Sequence, residues 1–147
     1  MENETPHERV DVKLLLPGGR VREQALYLTY GDSYGIELDG LEDAGEGHRF
    51  EDVDFFDCLK QLRIWLQGRG IRPLCNGARR NAFVSGMSSQ MGAGRLAYLV
   101  TPGQVPREED LVDIFGEAAP ADVVTVEEQE AFIRQWYDGA IGRSDKH

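Results

Sequence analysis

Residues 75–95 read CNGARRNAFVSGMSSQMGAGR and place Arg79, Arg80 and Arg95 in one stretch with no acid between them. Guanidinium groups on glycine-rich backbone suit anion binding, because a guanidinium fork and successive backbone N–H groups both present donors to an oxyanion. Asn76, Ser85 and Gln90 add neutral donors nearby. Asn76, Arg79, Arg80, Ser85, Gln90 and Arg95 therefore form a candidate site for a phosphate or carboxylate, serving a small ligand-binding domain or an enzyme. The stretch has neither the GK[ST] ending of a phosphate-binding loop nor a clear strand–glycine–helix dinucleotide fingerprint. The structural alternative is that the arginines brace the protein's own carboxylates and the glycines supply turns. A helical turn over residues 86–91, with Met87 and Met91 pointing inward, belongs to that alternative.

Negative charge is concentrated upstream. Residues 37–57 hold nine acids against the single base Arg49, a local charge of −8 in a chain of formal net charge −10. The acid spacing lacks the alternate-position pattern and central glycine of a calcium-binding EF-hand loop. A solvated loop and a charged helix face account for part of it. A concentrated patch also speeds encounter with a basic protein and penalises wrong partners. Asp39, Glu42, Asp43, Glu46, Glu51 and Asp52 are the candidate docking acids. Tyr34, Leu41 and Phe50 are the nearest apolar anchors, which tight binding requires because rim charges mainly set rate and specificity.

Catalytic machinery is sparse. The three histidines are His7, His48 and His147, and no Ser–His–Asp or Cys–His arrangement can be argued from them. Cys58 and Cys75 make no CxxC pair and read as two small buried hydrophobes. His48 beside Glu46 and Glu51 is the one candidate for metal ligation, and the spacing is poor for it. The reading is non-enzymatic, with no cofactor and no metal. A pI near 4.7 argues against binding a nucleic-acid backbone. No apolar run approaches the roughly 20 residues of a membrane span, and MENETPHERVDVK lacks the layout of a secretory signal, so the expected location is the cytoplasm.

These residues must be positioned by a small set of elements. At 147 residues, the chain is expected to form one domain, with residues 1–9 and 142–147 frayed. Alternation in VDVKL, the turn Pro17-Gly18-Gly19-Arg20 and the run at 21–30 predict a β-hairpin, and YGIEL at 34–38 a third strand. Residues 39–50 read as a loop. Phe55, Leu59, Leu62, Trp65 and Leu66 form a helical stripe, capped by Asp52 or Asp54 and stopped by Gly68 and Gly70. Residues 71–75 predict a short strand at an edge, and 96–101 a firmer one. Residues 110–115 predict a strand or docked loop, and 120–124 an extended linker. Thr125 and Glu128 make a capping box for a second helix over 125–141, with Phe132, Ile133, Trp136, Tyr137 and Ala140 as its core stripe. The expected class is α+β: an antiparallel or mixed sheet of about five strands, with two main amphipathic helices packed on it.

The run NGARRNAFVSGMSSQMGAGRLAYLV resembles a block shared by small, acidic bacterial proteins, in which NGAR leads into SGM, then MGxG, then an apolar strand. The DLVDIF segment and the closing EEQxAF helix are similar to the same group, and the resemblance covers residues 55–137. In size, acidity and lack of catalytic machinery the group resembles the immunity proteins that neutralise polymorphic or contact-delivered bacterial toxins. The resemblance implies a basic protein partner, a cognate toxin, occluded by the acidic surface.

Overall fold

The computed structural model describes residues 7–40 and 47–142. The class is α+β. Strands β1 (His7–Leu15), β2 (Val21–Thr29), β3 (Tyr34–Leu38) and β4 (His48–Asp52) run as successive antiparallel neighbours, and β5 (Arg72–Pro73) adds to the far edge of β1. The sheet order is β4-β3-β2-β1-β5. The β1–β2 turn closes with the Leu16 N–H donating to Arg20 O at 2.8 Å. Period-two alternation puts Val12, Leu14, Leu26, Leu28, Ile36 and Leu38 on one buried face. The other face carries Arg9, Asp11, Glu23, Glu37, Arg49 and Glu51, so the sheet has one dry and one polar side.

Helix α1 (Phe55–Gln67) covers the dry side with Phe55, Cys58, Leu59, Leu62 and Leu66. Each such side chain contributes about 1.5–3 kcal/mol by leaving water. Asp54, not Asp52, is its cap and accepts from the Asp57 N–H at 2.8 Å. Both cysteines are fully buried.

A second, smaller layer follows. Strands β6 (Ala82–Phe83), β7 (Leu96–Leu99) and β8 (Leu111–Asp113) form a separate antiparallel sheet in the order β6-β7-β8, with the short helix α2 (Gly86–Gly92) between β6 and β7. Helix α3 (Val126–Tyr137) packs Phe132, Ile133 and Trp136 against Phe83, Tyr98 and Val100. Its capping box is complete: Thr125 Oγ1 accepts from the Glu128 N–H at 3.1 Å, and the Thr125 N–H donates to Glu128 Oε1 at 3.0 Å.

Several expectations need correction. Residues 48–50 are strand rather than loop, because His48 and Phe50 point inward onto Trp65 while Arg49 and Glu51 point out, an alternation masked by the charged composition. Met87 and Met91 point outward, at 71% and 81% exposure. Serines hold the inner side of α2 instead: Ser88 Oγ donates to Leu96 O at 2.8 Å, and Ser89 Oγ donates to the Asp54 carboxylate. Pro120–Asp122 is a 3-10 turn rather than an extended linker, Tyr137 is largely exposed, and β1 already begins at His7. The expected frayed residues 1–6 and 143–147 lie outside the described residues. Among the described residues, no helix is long and apolar enough to cross a membrane.

Candidate functional site: a carboxylate-rimmed cleft beside α3

A concavity of about 730 Å³ opens between the N-terminus of α1, the β6–α2 connection and α3. Its apolar floor is Phe56, Phe83, Val84, Ile133 and Tyr137. Its polar walls carry Asp54, Asp57, Glu130 and Asp138 against Lys60 and Arg134. The cap requirement of α1 puts Asp54 and Asp57 here, one turn apart at the positive end of the helix dipole. The amphipathic pitch of α3 puts Glu130, Ile133, Arg134 and Tyr137 along the facing wall.

Charge in the cleft is incompletely balanced. Lys60 reaches Glu130 at 3.3 Å and Asp57 at only 3.9 Å, while its ammonium lies 5.5 Å from the Phe56 ring centre. Burial, with the neighbouring Asp54 charge adding and Lys60 opposing, holds the Asp57 carboxyl above its ordinary range. A carboxylate so placed gains from an additional cation. Asp54 is committed to the α1 cap and to Ser89. Ser85, one of the predicted residues, lines the cleft with its Oγ capping α2 through the Ser88 N–H at 3.0 Å. The cleft can therefore receive a positively charged group on an apolar stem.

Among the described residues, the predicted docking acids Asp39, Glu51 and Asp52 do not sit together. Along the β3–β4 ladder, Leu38 opposes His48 and Tyr34 opposes Asp52, so Asp39 and Asp52 sit at opposite ends, about 17 Å apart at strand rise. Asp39 is exposed at the start of the β3–β4 connection. Leu41, Glu42, Asp43 and Glu46 lie outside the described residues. Arg49 pairs with Glu37 at 2.7 Å and Glu51 at 2.6 Å, which offsets about half of their charge. Asp52 accepts from the Val53 N–H and from Gln61, both at short range (2.8 and 2.7 Å). The anchors are partly used: Tyr34 meets the Phe55 ring at 5.0 Å and Phe50 meets Trp65 at 5.9 Å, both half-buried.

The predicted anion set is also divided. Arg95 bridges Glu8 at 2.9 Å and Asp113 at 3.2 Å and lies over Phe115, and its hydrogen bond, seconded by Tyr30, holds the Glu8 carboxyl below its ordinary range. Asn76 donates to Asp113 O at 3.1 Å, a brace. Gln90 is exposed on α2. Only Arg79 and Arg80 share a pocket, on the other flank of α3. No group of three metal-capable side chains occurs among the described residues, and His48 packs 4.4 Å from Trp65.

Sequence reasoning missed Lys60, Glu130, Arg134 and Asp138. They come from helices about 70 residues apart, and only the packing of α3 beside α1 brings them together; nothing local marks them. No known protein-family model matches the chain, and no curated protein matches it.

Proposed function

We propose that this chain is a non-enzymatic protein-binding module whose carboxylate-rimmed cleft receives a basic segment of a partner protein. The observation that carries this reading is the Asp57 carboxylate. It lies beside Asp54 in a cleft with an apolar floor, and among the described residues its ion pair is to Lys60, 3.9 Å away. An arginine or lysine from a partner would bring the missing charge and lay its stem on Phe83, Val84 and Tyr137. A bacterial toxin with a basic active site, neutralised by occlusion, is the concrete partner that fits the resemblance and the charge of −10.

The test is co-expression with the protein encoded beside this gene, followed by co-purification and a protection assay. Asp57→Lys should abolish both. Asp57→Asn should weaken both without lowering the melting temperature, since it removes a charge that the fold does not favour. Undiminished co-purification and protection with Asp57→Lys would overturn the cleft as the docking site.

A further inference from the structure

We infer that the pocket on the opposite flank of α3 binds a small phosphate monoester carrying a flat apolar group. This goes beyond the docking function and does not depend on it. The pocket, about 360 Å³, lies between the Arg79–Asn81 backbone, the loop after β7 and Phe132 of α3. That volume is within the range of small-molecule sites.

Its two walls differ in chemistry. One wall is cationic. Arg80 is exposed and makes no ion pair within 4 Å among the described residues, though its charge reaches Glu128 and helps hold that carboxyl below its ordinary range after the Thr125 hydrogen bonds. Among the described residues, Arg79 has only the Asp122 carboxylate, at 3.8 Å, and its buried Nε has no hydrogen-bond partner. The backbone beneath is fixed: the Arg80 N–H donates to Asp122 O at 3.0 Å, Arg79 O accepts from Gln129 at 2.8 Å, and Asn81 Nδ2 donates to Val100 O at 3.0 Å. Two guanidinium groups rooted in neighbouring positions of a fixed backbone can both donate to a phosphate dianion. Thr101 adds a hydroxyl with no hydrogen bond among the described residues. The facing wall is apolar, made by Val100, Pro102 and Phe132, and suits an aromatic ring or nucleobase beside the phosphate. Asp122 limits the site by holding part of the Arg79 charge.

Titrations of the isolated protein with adenosine monophosphate, phenyl phosphate, inorganic phosphate and adenosine, followed by amide chemical shifts at constant ionic strength, test the assignment. Both monoesters should bind saturably, at least about tenfold tighter than inorganic phosphate or adenosine, with shifts centred on residues 79–81 and 100–102. Arg80→Glu should abolish binding and Asp122→Asn should tighten it; both side chains are exposed, so a thermal melt verifies that each variant is folded. No saturable shift, shifts spread over all basic residues, equal binding of inorganic phosphate, or indifference to Arg80→Glu would each overturn the proposal.

Discussion

At the scale of single residues, the least expected feature is a fully buried arginine without a carboxylate. Arg63 donates to Gln129 Oε1 at 2.8 Å, to Val124 O at 3.0 Å and to Gly77 O at 3.3 Å. It thereby ties α1 to the turn after β5 and to the entry of α3. Burial pushes its guanidinium down to about 10. The sequence held one signal for it: Arg63 stands four residues after Leu59 and three before Leu66, inside the apolar stripe of α1. A composition-based reading assigns such a residue to solvent, because charges are seldom fully buried without a pair. The two cysteines, by contrast, were legible as buried hydrophobes, and their burial has a measurable consequence. Cys58 is pushed up to about 12 and Cys75 to about 11, from 9.0. Above pH 9 the unfolded thiols ionise while the folded ones keep their protons, so stability falls as pH rises. The slope is up to about 1.4 kcal/mol per pH unit for each thiol. Arg63 acts in the opposite sense only above pH 10, where its folded form loses the proton first. Urea unfolding between pH 9 and 10 should therefore show a steeper loss for the native chain than for the Cys58→Ala, Cys75→Ala double variant. The slope is the readout, because the lost side-chain volume lowers only the intercept. Equal slopes would show that the thiols are not held protonated by the fold.

At the scale of elements, legibility followed locality. The β1–β2 hairpin, the α1 cap and the Thr125–Glu128 box rest on residues within a few positions of one another; the hairpin and the box stand as expected, and the cap is the second of the two residues the sequence offered, Asp54. Strand β4 rests on pairing with β3 and on contact with Trp65, neither of which a local window contains. Helix α2 was read with its sides reversed, because the tether that orients it is the distant bond from Ser89 to Asp54. Gly94 shows how tightly that junction is built. Its φ is +75°, and a Cβ there would lie 2.7 Å from the Asp54 side chain. Gly94→Ala therefore combines left-handed backbone strain with a collision at the α1 cap, and should cost about 1–3 kcal/mol. The loss should appear in hydrogen exchange as faster exchange at the α1 N-terminus and through residues 86–92, with the β1–β2 ladder unchanged. A uniform rise in exchange, or none, would mean that this junction does not couple the two helices.

At the scale of the whole molecule, the described acids of residues 37–57 are distributed by the fold into separate places. Arg49 offsets part of the charge over the sheet, Asp39 stands at the start of the β3–β4 connection, and Asp54 and Asp57 line the cleft with Glu130 and Asp138 from the far end of the chain. The sequence carried the sign and size of the field but not its focus, because half of the cleft's carboxylates come from outside residues 37–57. A cleft with low-dielectric walls concentrates such a field and speeds the capture of a basic partner. The expected signature is kinetic. Raising the salt from about 50 to about 500 mM shortens the screening length from roughly 14 to 4 Å, and should cut the association rate by about tenfold or more. The dissociation rate should change little, because it is governed by the apolar contacts and the desolvated Asp57 pair. Surface-plasmon measurements over that range, on the native chain and on Asp57→Asn, separate the two contributions. The variant should lose its complex mainly through faster dissociation while keeping most of the salt dependence of association, since the remaining field survives. An association rate indifferent to salt would place the docking surface away from the acidic side of the molecule.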